Sequence, residues 1–290
     1  MERLIFTNAR GQTVIFSNTG TYRWTNVDDL GGLTATSQTS TGPYQDGATP
    51  EGEAYLESKI LTLELLITSR DLKAAIRNLN SILNPKLGIG KLTYEIDGNA
   101  KEFDKVRTRM LPSLLGQGNR GYGFQITSVM FEVFDPIYKD VNYTEAQIVS
   151  GGNFFSFPLN ITDSFEFDFL NTNGVTVTNR GDIEAPLTII MDGPLSSPVV
   201  IENMSTGEKI VTQLAIAEGE RLTVITEPDN LNVLKTIIST GEETVAFQYI
   251  DTEETEFFNL QHGTNTLRIT AAGAEVGEAT IKFKNRYVGV

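Results

Sequence analysis

The chain has 290 residues, 40% of them hydrophobic and 21% charged, the proportions of a globular protein with room for two cores. It contains no cysteine and a single histidine, His262, which rules out disulfide staples, thiolate catalysis, cysteine-ligated zinc and any multi-histidine metal site within one chain. The formal charge of -14 is uneven: residues 1–140 carry 15 basic and 16 acidic side chains, residues 141–290 carry 8 and 21. That asymmetry predicts two modules, 1–140 and 141–290, and an acidic second module would be repelled by nucleic-acid phosphates.

No apolar run approaches the roughly 18 residues of a membrane span, so no membrane insertion is expected. The first residues, Met-Glu-Arg-Leu-Ile-Phe-Thr, are too short and polar a stretch for a signal peptide, and a cytosolic start is expected.

In chain order, Arg3–Thr7 and Thr13–Ser17 are short apolar runs around the turn residues Asn8, Arg10 and Gly11, which predicts a hairpin. Thr34–Glu53 is rich in Ser, Thr, Gly and Pro and has no periodic pattern; a connection that long reads as a loop, either an interaction arm or a disordered segment. From Lys59 to Thr68 the odd positions Leu61, Leu63, Leu65 and Ile67 are all apolar, the period of a strand with one buried face. The period then changes. Leu72, Ile76, Leu79 and Leu83 fall on one helical stripe, with Ser69 placed to cap the first turn and Pro85 to stop the last.

Lys91–Ile96 and Lys101–Leu111 flank Asp97-Gly98-Asn99, a tight-turn signal. In Gly121–Phe134, Tyr122, Phe124 and Ile126 share one parity while Val129, Phe131 and Val133 share the other. A β-bulge near Thr127-Ser128 is the expected cause, and Asp135-Pro136 ends the run.

The second half reads almost wholly as strand. Phe165–Phe169 alternates, and Leu187-Ile189-Met191, Leu222-Val224, Leu267-Ile269 and Ile281-Phe283 repeat the pattern between turns such as 179–182, 192–194, 205–208 and 261–264. Many short strands with one apolar face predict a two-sheet, jelly-roll-like sandwich.

Chemistry is sparse. Gly88-Ile-Gly90 lacks the flanking strand and helix of a dinucleotide loop and reads as a turn. His262 sits in a polar turn and reads as a surface histidine. Asp251–Glu256 has no EF-hand spacing and reads as solvated charge. Carboxylate pairs of the glycosidase kind leave no sequence spacing, so 37 acidic residues select none. Phe154, Phe155, Phe157, Phe257 and Phe258 read as core; Tyr143, Tyr249 and Tyr287 keep a sugar-binding platform open, although no tryptophan follows residue 140. In the strand 101–111, Lys101, Lys105, Arg107 and Arg109 share the parity of Phe103. This is either a solvated basic face or an electrostatic seam to a neighbouring subunit or an acidic partner. No catalytic, metal or cofactor residue is assigned, and no enzyme is expected.

With those residues in place, the chain resembles the phage distal tail protein family. The resemblance is carried by RNLNSILNPKLGIGKLTY (Arg77–Tyr94), by Tyr44-Gln-Asp-Gly47 followed by Lys59–Thr68, and by GYGFQITSVMFEVFDPIYKD (Gly121–Asp140). Val177–Gly193, Ile201–Ile210 and Phe257–Ile269 continue it, so it covers nearly the whole chain in order and spacing.

The resemblance implies a mainly β protein: an N-terminal β-sandwich with one α-helix and a β-hairpin, plus a C-terminal galectin-like or carbohydrate-module-like sandwich. It implies a structural virion protein of the distal tail, or baseplate hub, of a long-tailed phage or prophage, assembled in the host cytoplasm. Such proteins form a six-fold ring that joins the tail tube protein to the tail-tip or tail-associated lysin protein. Their outer domain sometimes carries receptor-binding parts. The alternative reading is a module that recognises cell-wall carbohydrate. This sequence shows no long N-terminal arm, so Thr34–Glu53 is the better candidate for reach between subunits. Candidate subunit or partner contacts are Tyr44, Asp46, Lys101, Lys105, Arg107 and Arg109.

Overall fold

The computed structural model describes residues 2–112, 119–149, 174–272 and 278–289. Phe154, Phe155, Phe157 and the alternating run 165–169 lie outside the described residues. The chain divides into two compact units, residues 1–141 with 287–290, and residues 142–286.

The first unit begins with the hairpin β1 (Glu2–Thr7) and β2 (Thr13–Ser17), which buries Leu4, Phe6, Val14 and Phe16 on one face. Asn8 makes its turn: the side-chain oxygen accepts from the amides of Arg10 and Gln12, and its Nδ2 donates to Ile82 O at 3.0 Å. The same side chain thus ties the hairpin to a helix terminus that would otherwise leave a carbonyl unpaired. β3 (Tyr22–Asp28) follows, then a ribbon of β4 (Ala35–Ser40) and β5 (Thr49–Leu56), then β6 (Lys59–Thr68). On β6 the period-two expectation is met: Leu61, Leu63, Leu65 and Ile67 are all fully buried.

The helix α1 (Leu72–Ile82) buries Leu79 and Ile82 and rests Leu72, Ala75 and Ile76 against the same core. Its cap is Asp71, whose carboxylate accepts from Ala74 N at 3.0 Å, and not Ser69. Ser69 instead exchanges hydrogen bonds with the backbone of Asp71, two residues before the cap and too early to reach the helix amides. Asn84 and Pro85 then start a separate short 3₁₀ turn.

β7 (Gly90–Ile96) and β8 (Asn99–Met110) form a hairpin whose turn has Asp97 and Gly98 at φ 49° and 87°, as a type I′ turn requires. Gly90 has no room for a side chain, because a Cβ there would lie 2.4 Å from Thr7 O on β1. β9 (Arg120–Gly121), β10 (Phe124–Val133) and β11 (Tyr138–Asp140) complete the unit, with β22 (Arg286–Tyr287) joining at the edge. The sheet order is β22-β11-β8-β7-β1-β2-β3-β6-β10-β9, and a further β8–β10 pairing closes it on itself. Phe131 of β10 meets Phe6 of β1 and Phe16 of β2 across the interior, with ring centroids 5.1 and 6.3 Å away.

β10 departs from expectation. It pairs with β6 residue for residue, from Phe124 opposite Thr68 to Val133 opposite Lys59, without a bulge at Thr127-Ser128. The odd residues therefore face inward throughout, Gln125 and Thr127 included, while Phe124 and Ile126 lie exposed on the outer face. The irregularity occurs against β8, between Met130 and Phe131.

The second unit is built from two sheets. One has the order β12-β21-β14-β17-β18-β19, formed by β12 (Thr144–Val149), β14 (Leu187–Asp192), β17 (Glu220–Ile225), β18 (Asn232–Ile237), β19 (Glu242–Val245) and β21 (Glu278–Phe283). The other, β13-β20-β15-β16, consists of β13 (Val175–Asn179), β15 (Val199–Asn203), β16 (Lys209–Thr212) and β20 (Gly263–Ala271). Alternate residues of both sheets, Ile189, Met191, Val224 and Ile281 from one and Ile201, Ile210 and Leu267 from the other, share one core. The molecule is mainly β.

Candidate subunit interface

Thr34–Glu53, read from sequence as a loop, is largely a ribbon. β4 and β5 pair antiparallel from Ala35–Leu56 to Ser40–Thr49 and, among the described residues, with no other strand. Every residue of both strands is exposed. The sequence Ala-Thr-Ser-Gln-Thr-Ser against Thr-Pro-Glu-Gly-Glu-Ala-Tyr-Leu gives neither face an apolar set, so no periodicity marks it as strand. At the tip, the Gln45 amide donates to Gly42 O and the Gln45 side chain bridges Gly42 N and Thr49 Oγ1. Tyr44 stands there at φ 66°, fully exposed, with Asp46 exposed beside it.

The base of this arm is held differently. The Glu57 amide donates to Thr34 O at 2.9 Å, and Thr36 Oγ1 donates to the Glu57 carboxylate. Three residues beyond the ribbon, the Lys59 side chain turns inward and is only 8% exposed. Its ammonium donates to Leu30 O at 3.0 Å and Gly32 O at 3.3 Å, and lies 4.8 Å over the ring of Phe103 and 5.4 Å over that of Tyr138. The Tyr138 hydroxyl donates to the same Leu30 carbonyl. Burial lowers the Lys59 pKa, and the carboxylate of Asp29 opposes that shift. Burial likewise raises the pKa of Tyr138, keeping the phenol protonated and able to donate. Sequence reading missed this group, since Lys59 sits at the start of a strand whose apolar positions drew attention instead.

The basic strand does not form one face. On β8, Leu92 lies opposite Phe103 but Gly90 opposite Val106, so an extra residue between them reverses the parity. Phe103, Val106 and Thr108 are buried, while Arg107 and Arg109 point to solvent. Lys101, on the near side of the bulge, is engaged within its own unit: its ammonium is 2.6 Å from Asp140 Oδ1 and 3.5 Å from the centre of the Tyr287 ring. Lys105 is partly buried at the bulge itself, and the Arg107 guanidinium lies 5.4 Å over Phe134. The structure therefore leaves Arg107 and Arg109 as the outward cations of this strand. The nearby Lys139 is buried between Asp135 at 2.9 Å and Asp104 at 2.7 Å, which hold its pKa above the ordinary lysine value despite burial.

In the second unit Phe258 is buried and Phe257 packs against Phe247 at 6.0 Å, so both serve the core. Tyr143 and Tyr249 are exposed, and Lys284 lies over the Tyr143 ring. Tyr287 belongs to the first unit. His262 is exposed, with Nδ1 against Gly181 O. The Asp251 carboxylate accepts from the amides of Glu253 and Glu254, which explains that acidic turn as local backbone capping. An open groove of about 360 Å³ is lined by Glu145, Thr176, Thr178, Arg180 and Asn285 among others.

Comparison with known proteins places this architecture. Residues 180–287 match the model of the siphovirus-type tail component, C-terminal domain. No curated protein sequence matches the chain. Over 99% of both chains the fold superposes on the crystal structure of SPP1 Dit (gp 19.1), described as a paradigm of hub adsorption apparatus in Gram-positive infecting phages, with a TM-score of 0.67 and 13% identity. It also superposes over the full length of both chains on a protein of the phage P2 baseplate in its activated conformation, with calcium (TM-score 0.62, 14% identity) and with strontium (0.57, 13%). These similarities concern the fold of the whole chain, and the family match concerns the second unit. Over residues 180–287 the chain is similar in sequence to the siphovirus-type tail component, C-terminal domain, and over its whole length it shares the fold of these solved tail and baseplate proteins.

Proposed function

We propose that this chain is the ring-forming hub subunit of the distal tail, with residues 1–140 building a homo-hexameric ring and residues 141–290 standing at its periphery. In this reading the ring joins the tail tube protein on one side and a tail-tip or tail-associated lysin protein on the other. The observation that carries it is the β4–β5 arm. An isolated two-stranded hairpin is at best marginally stable in water, and this one buries neither face and leaves both outer edges without a partner strand among the described residues. A neighbouring copy supplies what is missing. A closed ring uses such heterologous contacts, in which one patch meets a different patch on the next subunit. The near-neutral charge of residues 1–140 permits close packing of copies, whereas the acidic remainder suits a solvated rim. Descriptions of the structurally similar proteins as hub and baseplate parts agree with this reading.

The test uses the full chain and a variant in which residues 36–55 are replaced by a short Gly-Ser link. Light scattering and negative-stain images of the intact chain should show rings as concentration rises, with or without tail-tube protein. The armless variant should keep the same far-ultraviolet circular dichroism beyond the lost ribbon and remain monomeric. An intact chain that stays single at every concentration, or an armless variant that assembles equally well, would sink the proposal.

A further inference from the structure

The arm is reached through Leu30-Gly31-Gly32, and two adjacent glycines without side chains cannot pack themselves into one conformation. What fixes them comes from outside the segment. The Lys59 ammonium, buried on the return side of the arm, donates to the carbonyls of Leu30 and Gly32, and the Tyr138 hydroxyl donates again to Leu30 O. Phe103 and Tyr138, whose rings lie 4.2 Å apart, wall the ammonium off from water. Such a buried cation costs desolvation, and an apolar side chain would fill the space more cheaply, so its geometry points to positioning. Both strands of the arm leave the body at this point, so a single side chain fastens the outgoing lead to the returning one.

We propose that Lys59 is a positioning residue that locks the double-glycine lead-in and so sets the direction in which the arm projects toward a second copy of this chain. The proposal rests on the arm reading given above and adds its control: a preorganised arm loses less conformational freedom on docking than a swinging one.

The experiment compares the full chain with Lys59→Met, which keeps the stem and loses the donors, and with Lys59→Arg, which keeps charge and donors. Hydrogen exchange is followed at the amides of residues 35–57, including that of Glu57, which bonds Thr34 O at the arm's base. Loss of two charge-assisted hydrogen bonds should speed exchange there at least about tenfold. It should also move the assembly midpoint about tenfold higher in concentration, with the amides of β6 and β10 unchanged and Lys59→Arg close to the parent. If Lys59→Met does not fold, Tyr138→Phe removes the other donor and keeps the ring, and must accelerate the same amides. Unchanged exchange across the arm in a folded Lys59→Met, or in Tyr138→Phe where that variant is the one that folds, overturns the clamp. Failure of the ring reading is seen separately, in the armless variant, because arm exchange is read on the monomer.

Discussion

Two antiparallel ribbons lie within about sixty residues of each other in this chain, and they differ in almost everything except their pairing. The β1–β2 hairpin buries Leu4, Phe6, Val14 and Phe16 at the centre of the first unit. The β4–β5 ribbon buries nothing. Hydrogen-bonded ladders are common to both, so the ladder cannot be what makes one of them part of the fold. The difference lies in the apolar face. Burial of a face commits a ribbon to its own domain, and a ribbon with no such face remains available to another chain.

Three substitutions sharpen that contrast. Phe16→Ala removes a fully buried ring that touches Tyr22 and Phe131 and should cost about 3–5 kcal/mol in urea unfolding of the full chain. A loss near zero would mean the hairpin is as detachable as the arm. Asp71→Ala removes the helix cap at the other end of the same core and should cost about 1 kcal/mol, while Ser69→Ala should cost less because Ser69 does not reach the helix amides. Equal effects would put the cap back on Ser69. Tyr55→Ala, on an arm residue 70% exposed, should leave monomer stability within about 0.5 kcal/mol. A larger loss measured at concentrations too low for assembly would show that the arm does support its own domain.

Where one face of a strand is buried and carries at least three apolar residues in succession, local pattern was sufficient to read it. β6, β14 and β21 were legible in this way, as were the helix stripe and the Asp97-Gly98 turn. Elsewhere pattern misled for identifiable reasons. On β10 the apolar Phe124 and Ile126 face outward and the polar Gln125 and Thr127 face inward, so composition suggested a reversal that the ladder with β6 does not contain. On β8 the reversal is real but invisible, because the extra residue falls among Asp104 and Lys105, whose polarity fits either face. The arm looked like a loop because a ribbon wet on both sides has no period to read. Of the contacts proposed from sequence, Tyr44 and Asp46 stand free at the arm's tip, Arg107 and Arg109 face solvent, and Lys101 is engaged with Asp140 and Tyr287 inside its unit.

From its residues alone the chain reads as mainly β with a helix around Leu72–Leu83, with a change of charge character near residue 140 and no means for cysteine or multi-histidine chemistry. Those properties follow from residue type and short-range periodicity, which need no knowledge of partners. Tertiary structure alone decided which carbonyls Lys59 would meet, where β8 would slip, and that the stretch after Gly32 would pair with itself in open solvent. Each of these depends on groups far apart in the chain being brought within hydrogen-bonding distance, and the energies that do so are set by burial, which local sequence does not encode.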